Sequence, residues 1–493
     1  MSLHPGHLTL VELDEPDAGG LADDARTAGL LPAWLRRHAA TVAGAAALLV
    51  LALLGAQAAL DTRERERLAS LADVPGVLSP LHDPPAALWQ WAPTAGTLLA
   101  GDQEGRWAIG ALYHAGGVDL RGTDPDTGAV LWSVPFSLDA ALPPGGRSEF
   151  PSVWVRCTAL ATAADPVAVC SAEVSPVGSA GAVTPLVVLD PTDGTVLATP
   201  AVAAGSLWST AGSDLVVAAP EPDDAGGVRW TLTATDPTTG ATAWRRTTPV
   251  VPRVHEVLVG DVAIRSVPAL TGDDDRVLLT DSGHAWLFGA DGAPRGDVTV
   301  ASDGSATLAR ADTLVWTPWQ NRAIPAGILV TRDGRRVAVG ESPASLAVDD
   351  GSAPGTVLLT DTTAGTTLVA RDATTGDELW RTDGLTSEPL LVEGVVFLPG
   401  VDDVVAVDAR TGERRWRTDV GAVPLYLGTD GTHVVVLTPD RTMRALGMTD
   451  GRPARVADVA TLLSDDPGGV SAVSEYAGRL LIRFRDGRSL VVG

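Results

Sequence analysis

The chain has 493 residues and a formal net charge of −25, with 46 Asp, 15 Glu and 36 basic residues that are all Arg. Because there is no Lys, the sequence excludes a P-loop phosphate site, a protein-kinase phosphate lysine and a pyridoxal Schiff base. An acidic surface repels phosphates, so nucleic acid is not expected as a partner. Asp favours turns whereas Glu favours helix interiors, so the Asp excess predicts a turn-rich, β-leaning fold.

The N-terminal region combines a polar tail with an apolar stretch. Residues 1–37 are polar and acidic and are predicted to be a flexible cytoplasmic tail. Residues 39–60 carry no charge, and as a helix they would measure about 33 Å, close to the ~30 Å of a bilayer core. We therefore predict a single transmembrane helix over 38–60, followed by a juxtamembrane stalk over 61–81 with Glu/Arg pairs at helical spacing.

Two further questions concern this apolar stretch: which side of the membrane each end faces, and whether the stretch is retained or cleaved. Basic residues lie on both sides of it, so their count does not decide the orientation. We expect the C-terminal domain outside the cell membrane, because a short tail remains inside more readily than a domain of this size. The alternative is a signal peptide cleaved after Ala58, since Ala56-Gln57-Ala58 fits the small-x-small pattern. A 37-residue leader is long for a signal peptide, which favours the anchor.

The sequence contains two cysteines, Cys157 and Cys170. They lie in two apolar, strand-like runs, 152–158 and 166–172, and a hairpin centred near residues 163–164 would bring them opposite each other. We predict a cross-strand disulfide, which an oxidising compartment favours. Two separate buried thiols are the alternative.

From about residue 80 the chain repeats a short unit: an Asp, then Thr-Gly three and four residues later, then a Trp eight residues after the Asp. A fifth unit keeps the Asp and Gly but has Ala198 at the Trp position. The Asp carboxylate is expected to accept hydrogen bonds from the following amides, Gly to adopt a positive φ, and Trp to pack between layers. The residues are Asp124, Gly128 and Trp132; Asp190 and Gly194; Asp236, Gly240 and Trp244; Asp372, Gly376 and Trp380; and Asp408, Gly412 and Trp416.

Weaker turns with the same Asp-Gly pair occur at Gly292, Gly334 and Gly451. The mean spacing of about 46 residues, with about four strand-like runs per period, is the size of one propeller blade. Residues 87–91 are predicted to complete the last blade and close the ring. A strict count then reaches nine, but the turns at 292 and 334 need not both be separate blades. We predict an all-β propeller of about eight four-stranded blades over 82–493.

The Asp-x-x-Thr-Gly-x-x-x-Trp units resemble the repeats of the quinoprotein-type, pyrroloquinoline-quinone-like β-propeller family. The resemblance implies blades around a central channel, with the four repeat tryptophans docking each blade to the next. It also implies that a catalytic member would have an adjacent Cys-Cys disulfide and calcium ligands beside its cofactor. The two cysteines here are not adjacent and the chain's one Asn is Asn321, so neither a bound cofactor nor quinone-dependent activity is expected.

Other candidate sites carry weaker signals. The eight His residues show no metal-ligand spacing, and acidic clusters such as 273–275 and 349–350 are interpreted as solvated turns, so no metal is predicted. Trp316 and Trp319 depart from the repeat and would either form an exposed contact or be buried in a blade. Segments 137–150 and 173–183 are predicted to be loops on one propeller face, where binding sites commonly lie.

The combined features predict a non-catalytic, membrane-anchored propeller that binds another protein or an envelope component outside the cytoplasm. A ligand-sensing ectodomain is the alternative, followed by a quinone-dependent dehydrogenase. Fold alone does not decide between them.

Overall fold

The computed structural model describes residues 39–493 with short gaps at 92–96, 103–104, 115–116, 137–152, 161–165, 175–183, 253–256, 260–261, 265–267, 300–303, 311, 319–326, 362–365, 464 and 466–467. The predicted tail over 1–37 and Trp319 lie outside the described residues. So do the predicted loop at 137–150 and nearly all of the one at 173–183.

The N-terminal helix α1 spans Ala39–Ala72. It is rich in Ala and Leu, which are strong helix formers, and it ends just before Pro75 and Gly76, where φ is +89°. The chain divides into two compact units at Arg67/Leu68, so α1 contributes to both. Among the described residues, no helix is both long and apolar enough to cross a membrane. The predicted transmembrane helix over 38–60 is therefore not confirmed.

The larger unit is an all-β propeller, as predicted, built from antiparallel sheets. Each blade runs from an inner strand A to an outer strand D. Blade 1 contains β2 (Thr97–Gly101), β3 (Ala108–His114), β4 (Gly117–Thr123) and β5 (Val130–Phe136); blade 2 contains β6 (Val153–Leu160), β7 (Val167–Val174), β8 (Thr184–Leu189), β9 (Val196–Ala198) and β10 (Ala201–Val202); blade 3 contains β11 (Leu207–Ala211), β12 (Asp214–Pro222), β13 (Gly227–Thr235), β14 (Thr242–Thr247) and β15 (Val251–Pro252).

A two-stranded hairpin separates blade 3 from blade 4, and blades 4 to 6 follow the same order. The hairpin pairs β16 (Val257–Val259) with β17 (Val262–Ile264); blade 4 contains β18 (Ala269–Gly272), β19 (Arg276–Asp281), β20 (His284–Gly289) and β21 (Pro294–Thr299); blade 5 contains β22 (Gly304–Ala309), β23 (Thr313–Pro318), β24 (Gly327–Val330) and β25 (Arg336–Val339); blade 6 contains β26 (Glu341–Pro343), β28 (Thr356–Asp361), β29 (Thr367–Asp372) and β30 (Glu378–Thr382).

Blade 7 has an additional strand, β27, which pairs in parallel with its strand A. A 3₁₀ helix, Val459–Leu462, links blade 8 to blade 9. Blade 7 contains β27 (Val348–Asp349), β31 (Leu390–Val392), β32 (Val395–Pro399), β33 (Asp403–Asp408) and β34 (Arg414–Asp419); blade 8 contains β35 (Tyr426–Thr429), β36 (His433–Leu437), β37 (Thr442–Gly447) and β38 (Pro453–Asp458); blade 9 contains β39 (Val470–Tyr476), β40 (Arg479–Phe484), β41 (Ser489–Val492) and β1 (Ala87–Trp91).

The described part of the propeller has nine blades, so the predicted count of about eight is wrong. Gly292 lies between β20 and β21, and Gly334 lies between β24 and β25, so each turn belongs to its own four-stranded sheet. The error came from treating weak repeat units as doubtful blades. Both turns lack the Trp, and their blades meet the next blade by other contacts.

Blade 9 closes the ring with strands from both ends of the propeller, as predicted. Strand β1 pairs antiparallel with β41, and Trp91 lies opposite Ser489. The residues just before β1 also take part: Val77 forms a parallel bridge with Thr429 of blade 8. Part of the predicted stalk is thus buried, since Leu78 is 2% exposed and packs between blades 8 and 9.

The hydrophobic core lies in the seams between blades. Within the part of the chain that the structure describes, the buried side chains form nine clusters, and each cluster joins one blade to its neighbour around the ring. A blade is a thin sheet with two faces, and it can bury them only against adjacent blades. The stability of this fold therefore depends on what each seam contains.

Candidate functional site

The repeated turn is held by its Asp carboxylate. Asp372 Oδ1 accepts hydrogen bonds from the backbone N–H groups of Thr374 (2.9 Å) and Thr375 (2.8 Å). These two bonds hold the pKa of Asp372 below its ordinary value, and the bond from Thr375 lowers it more than the bond from Thr374. Gly376 follows with φ of +76°, a conformation that costs an L-residue energy. Asp124, Asp190, Asp236 and Asp408 accept backbone hydrogen bonds in the same way.

The Trp of a repeat docks onto the turn of the next blade. Trp380 of blade 6 donates its indole Nε1–H to the carbonyl of Ala409 (2.9 Å) in blade 7. Its ring covers Gly412, where an added Cβ would lie 2.6 Å from Trp380 Cγ. The turn therefore needs Gly both for its positive φ and for the close approach of the indole. The same hydrogen bond joins Trp132 to Pro191, Trp244 to Ala290 and Trp416 to Met448.

Trp89 performs this role for the closing blade, although it is outside the repeat pattern. Its Nε1–H bonds the Pro125 carbonyl at 2.7 Å, and its ring covers Gly128. Sequence reasoning placed residues 87–91 as the closing strand but assigned no docking role to Trp89. The available signal was the position of Trp89 on the closing strand, which is the outer strand of blade 9.

Other residues replace Trp at the remaining seams. Four positions after the turn glycines, blade 2 has Ala198, blade 4 has Gly296 and blade 8 has Arg455. Arg455 Nη1 donates to the carbonyl of Leu81 (3.1 Å), and its guanidinium also pairs with Asp83. In blade 5 the isopropyl group of Val337 covers Gly376. Arg455 thus ties the N-terminal segment to the seam between blades 8 and 9.

The seam between blades 4 and 5 relies on arginines. Asp312 lies within 4 Å of three guanidinium groups: those of Arg276 (3.6 Å), Arg295 (3.6 Å) and Arg332 (3.9 Å). Arg276 also donates to the carbonyl of Ala309 (3.3 Å) in blade 5. Because these groups are partly exposed, salt screens them more than it would an indole contact.

The predicted disulfide is confirmed in blade 2. Cys157 on β6 and Cys170 on β7 face each other in the antiparallel register, with Sγ atoms 2.06 Å apart. Both residues are buried, at 7% and 0% exposure. The bond therefore crosslinks strands A and B of this blade.

A cleft of about 280 Å³ opens where blade 6 meets blade 7. Its wall is the linker after β30, its rim is the turn between β32 and β33, and Arg417 lies on its far side. Thr386 holds this turn in place. Its Oγ1–H is shared between the carbonyl oxygens of Pro399 (3.1 Å) and Gly400 (3.0 Å). Val401 stands at the rim with 63% of its surface exposed. The arrangement is a fixed concave site with an uncovered apolar residue.

The remaining predicted residues take structural positions. Trp316 is 6% exposed, so of the two interpretations given above it is burial in a blade that applies. Asp273 accepts hydrogen bonds from Arg276 and Asp349 pairs with Arg310, so both acidic clusters have protein partners. Across the described residues, no group of three or more His, Cys, Asp or Glu side chains is placed to hold a metal ion.

The comparison with protein families gives a match to the C-terminal blades. The family described as PQQ_2, outer membrane protein assembly factor BamB, matches residues 364–488. Residues 364–488, about a quarter of the chain, are therefore similar to the repeats of the pyrroloquinoline-quinone-like β-propeller family. The predicted resemblance is thereby confirmed, and the PQQ-like region contains both the cleft and two of the docked tryptophans, Trp380 and Trp416. No curated protein matches the chain.

The solved structures that match this chain have low sequence identity to it and low TM-scores. BamB from Moraxella catarrhalis is 16% identical, with a TM-score of 0.40, over 83% of this chain and 99% of its own. Sqt1 from Saccharomyces cerevisiae is 11% identical, with a TM-score of 0.35, over 66% and 92%. The quinohemoprotein alcohol dehydrogenase from Comamonas testosteroni is 11% identical, with a TM-score of 0.39, over 85% and 80%. At these scores the three likenesses show no function for this protein.

Proposed function

We propose that this protein is a non-catalytic scaffold of the cell envelope that binds other proteins through its propeller. The observation that carries the proposal is the match of residues 364–488 to the BamB family, whose description is outer membrane protein assembly. A ring of blades locked by indole contacts is a rigid support, and binding sites commonly lie on loops held by such supports. The cleft between blades 6 and 7 belongs to the matched region.

Membrane anchoring is part of the same proposal. Its support is the uncharged stretch 39–60, which is long enough for a bilayer core as a helix. The described leucines of this stretch are exposed, for example Leu48 at 69%. The proposed organisation is a cytoplasmic tail over 1–37, an anchor over 38–60, a juxtamembrane segment over 61–81 and an extracytoplasmic propeller over 82–493.

Cell fractionation tests the anchor. The full chain is expected in the membrane fraction, resistant to carbonate extraction, while a chain beginning at residue 61 behind a cleavable leader is expected in the extracytoplasmic soluble fraction. Release of the full chain by carbonate would contradict the anchor, and so would cleavage after Ala58 detected by N-terminal sequencing.

Site-specific photo-crosslinking in intact cells tests protein binding. A photoreactive amino acid replaces Val401 at the cleft rim, and Val456 on the outer strand β38 is the matched control. Both are valines with 63% exposure. A discrete protein adduct is expected from position 401 and not from 456. Identical adduct patterns from both positions, or none from either, would contradict binding at this face.

A dye-linked oxidation assay tests the non-catalytic part of the proposal. The purified full chain is supplied with pyrroloquinoline quinone, Ca²⁺ and a panel of primary alcohols. We expect no turnover above the cofactor's own background. Saturable turnover would show that the protein is an enzyme.

A further inference from the structure

The cleft between blades 6 and 7 has a lining whose charges are unequal. Three carboxylates, Asp383, Asp402 and Asp403, face one guanidinium, that of Arg417. Asp403 is buried, at 6% exposure, and forms an ion pair with Arg417. This pair neutralises itself, since a buried carboxylate is stable only with a partner. The two remaining carboxylates set the charge of the cleft.

Those two carboxylates are only partly satisfied by the protein. Asp383 accepts one hydrogen bond, from Thr367 Oγ1 at 2.6 Å. The backbone carbonyl of Asp402 accepts from Val420 and Gly421, which fixes the position of this exposed residue. Within the described residues its carboxylate has no hydrogen-bond or ion-pair partner. An ionised carboxylate can accept several hydrogen bonds, so both have capacity for a charged donor.

Apart from Thr382, the rest of the lining consists of apolar residues and glycines. Leu385, Leu398, Pro399 and Val405 form the walls, and Val401 stands at the rim. A cavity of about 280 Å³ with apolar walls and carboxylates at its edge suits a long side chain with an apolar stem and a cationic head. Arginine and lysine have that form, whereas an acidic side chain would be repelled.

A second cleft on the same face shares part of this chemistry. It measures about 330 Å³ and lies at the turn between β12 and β13 of blade 3. Like the first, it combines a Pro, a Val, one Arg and a pair of adjacent aspartates, here Asp223 and Asp224, but it also contains Glu221 and has no Leu. Both clefts use the turn between strands B and C, and such turns all lie on one face of a propeller. An excess of carboxylates is therefore found at two places on this face.

We propose that the cleft between blades 6 and 7 binds an arginine or lysine side chain of a partner protein, followed by an apolar residue that covers Val401. The proposal rests on the proposed function, because it names the chemistry of the protein segment that the scaffold binds. Charge complementarity supports it on a larger scale, since the chain has a net charge of −25 and no Lys. A second copy of this chain is a poor occupant for the same reason.

Peptide binding to the full chain in detergent tests the proposal. The probes are N-acetyl-Arg-Leu-amide and its citrulline analogue, which has almost the same shape and no charge. Ligand-observed NMR measures both dissociation constants at 50 mM and 500 mM NaCl. We expect roughly fivefold tighter binding of the arginine peptide at low salt, and a preference that shrinks at high salt.

Charge-neutralising variants assign the preference to the cleft. The double variant Asp383→Asn/Asp402→Asn is expected to bind both peptides equally. The control Asp274→Asn/Asp377→Asn removes two exposed charges elsewhere and is expected to keep the preference. Equal binding of the two peptides by the unmodified protein, or an unchanged preference in the cleft variant, would overturn the proposal. If either result is found together with a protein adduct at position 401, the scaffold function stands. Only the binding of an arginine or lysine side chain in this cleft is then rejected.

Discussion

The seams between blades 7 and 8 and between blades 4 and 5 join similar sheets by different means. Among the described residues, fifteen buried side chains form the first seam, including that of Trp416, whereas five form the second. Gly296 occupies the Trp position in blade 4, and Asp312 of blade 5 pairs with Arg276 and Arg295 of blade 4 across the seam. One repeat unit can thus be joined to the next mainly by apolar burial or with the help of ion pairs. We expect the seam held by apolar burial to be strong and insensitive to salt. We expect the ion pairs of the other seam to contribute little and to be weakened by salt.

Removing an indole gives the largest expected effect. Trp416 is 8% exposed, its Nε1–H bonds the Met448 carbonyl at 2.8 Å, and its ring centroid lies 5.8 Å from that of Phe397. Trp416→Ala is expected to lower the free energy of unfolding by about 3–5 kcal/mol, because it leaves a cavity in the seam. Urea denaturation measures the change. A loss below about 1 kcal/mol would mean that the indole does not hold this seam.

Two glycine variants compare a turn that is covered by an indole ring with a turn that is not. Gly412 and Gly240 have nearly the same φ, +70° and +71°, but Trp380 covers Gly412 whereas a Cβ on Gly240 meets no described atom within 4 Å. Gly240→Ala is expected to cost about 1–2 kcal/mol for the backbone alone. Gly412→Ala is expected to cost about 1–3 kcal/mol more, because the methyl group collides with the indole. Equal losses in urea denaturation would reject indole docking as the reason for the second glycine.

The carboxylate of Asp372 predicts that the free energy of unfolding depends on pH. The pKa of Asp372 is lowered by the backbone hydrogen bonds from Thr375 and Thr374. A lowered folded-state pKa adds stability that is complete above the unfolded-state value of about 3.9 and is lost as pH falls through the folded value. Asp372→Asn is therefore expected to cost about 1 kcal/mol at pH 7, with a difference from the unmodified protein that decreases below pH 4. Stability curves against pH for both proteins check this, and a constant difference would contradict it.

The ion-pair seam gives the smallest expected effect. Asp312 is 45% exposed and has φ of +57°, a conformation that Asn also tolerates. Asp312→Asn is expected to cost about 0.5 kcal/mol at low salt and almost nothing at 1 M NaCl. Urea denaturation at both salt concentrations measures this cost, with Trp416→Ala as the salt-insensitive reference. A cost that persists at 1 M NaCl would show that the seam does not depend on exposed charge.

Much of the local structure was predictable because its causes are local. The turn depends on an Asp side chain and its own next few amides, so the units at Asp372 and Asp408 were recognisable by spacing. The hairpin that joins Cys157 to Cys170 likewise follows from two short apolar runs and the loop between them. The closing strand over 87–91 was predictable because the last blade lacked one strand.

The blade count and the contents of several seams were not predictable from the repeat. The turns at Gly292 and Gly334 looked weak because their Trp positions hold Gly296 and Ala338, yet each belongs to a complete sheet. Arg455 acquires its role only from the N-terminal segment that faces it across a seam, because Leu81 lies 374 residues away in the chain and no local spacing reveals the contact. Trp89 is different, since the Pro125 carbonyl that it contacts is only 36 residues away.

The repeat alone defines one blade: strands, an Asp turn, a positive-φ glycine and a docking Trp, all within about 46 residues. The number of blades in the ring, the choice between indole and arginine at each seam, and the place where a cleft opens depend on tertiary contacts. This is so because each blade buries its faces against its neighbours. The role of a side chain at a seam therefore depends on the blade opposite it, and for Arg455 it depends on Leu81, which lies 374 residues away in the chain.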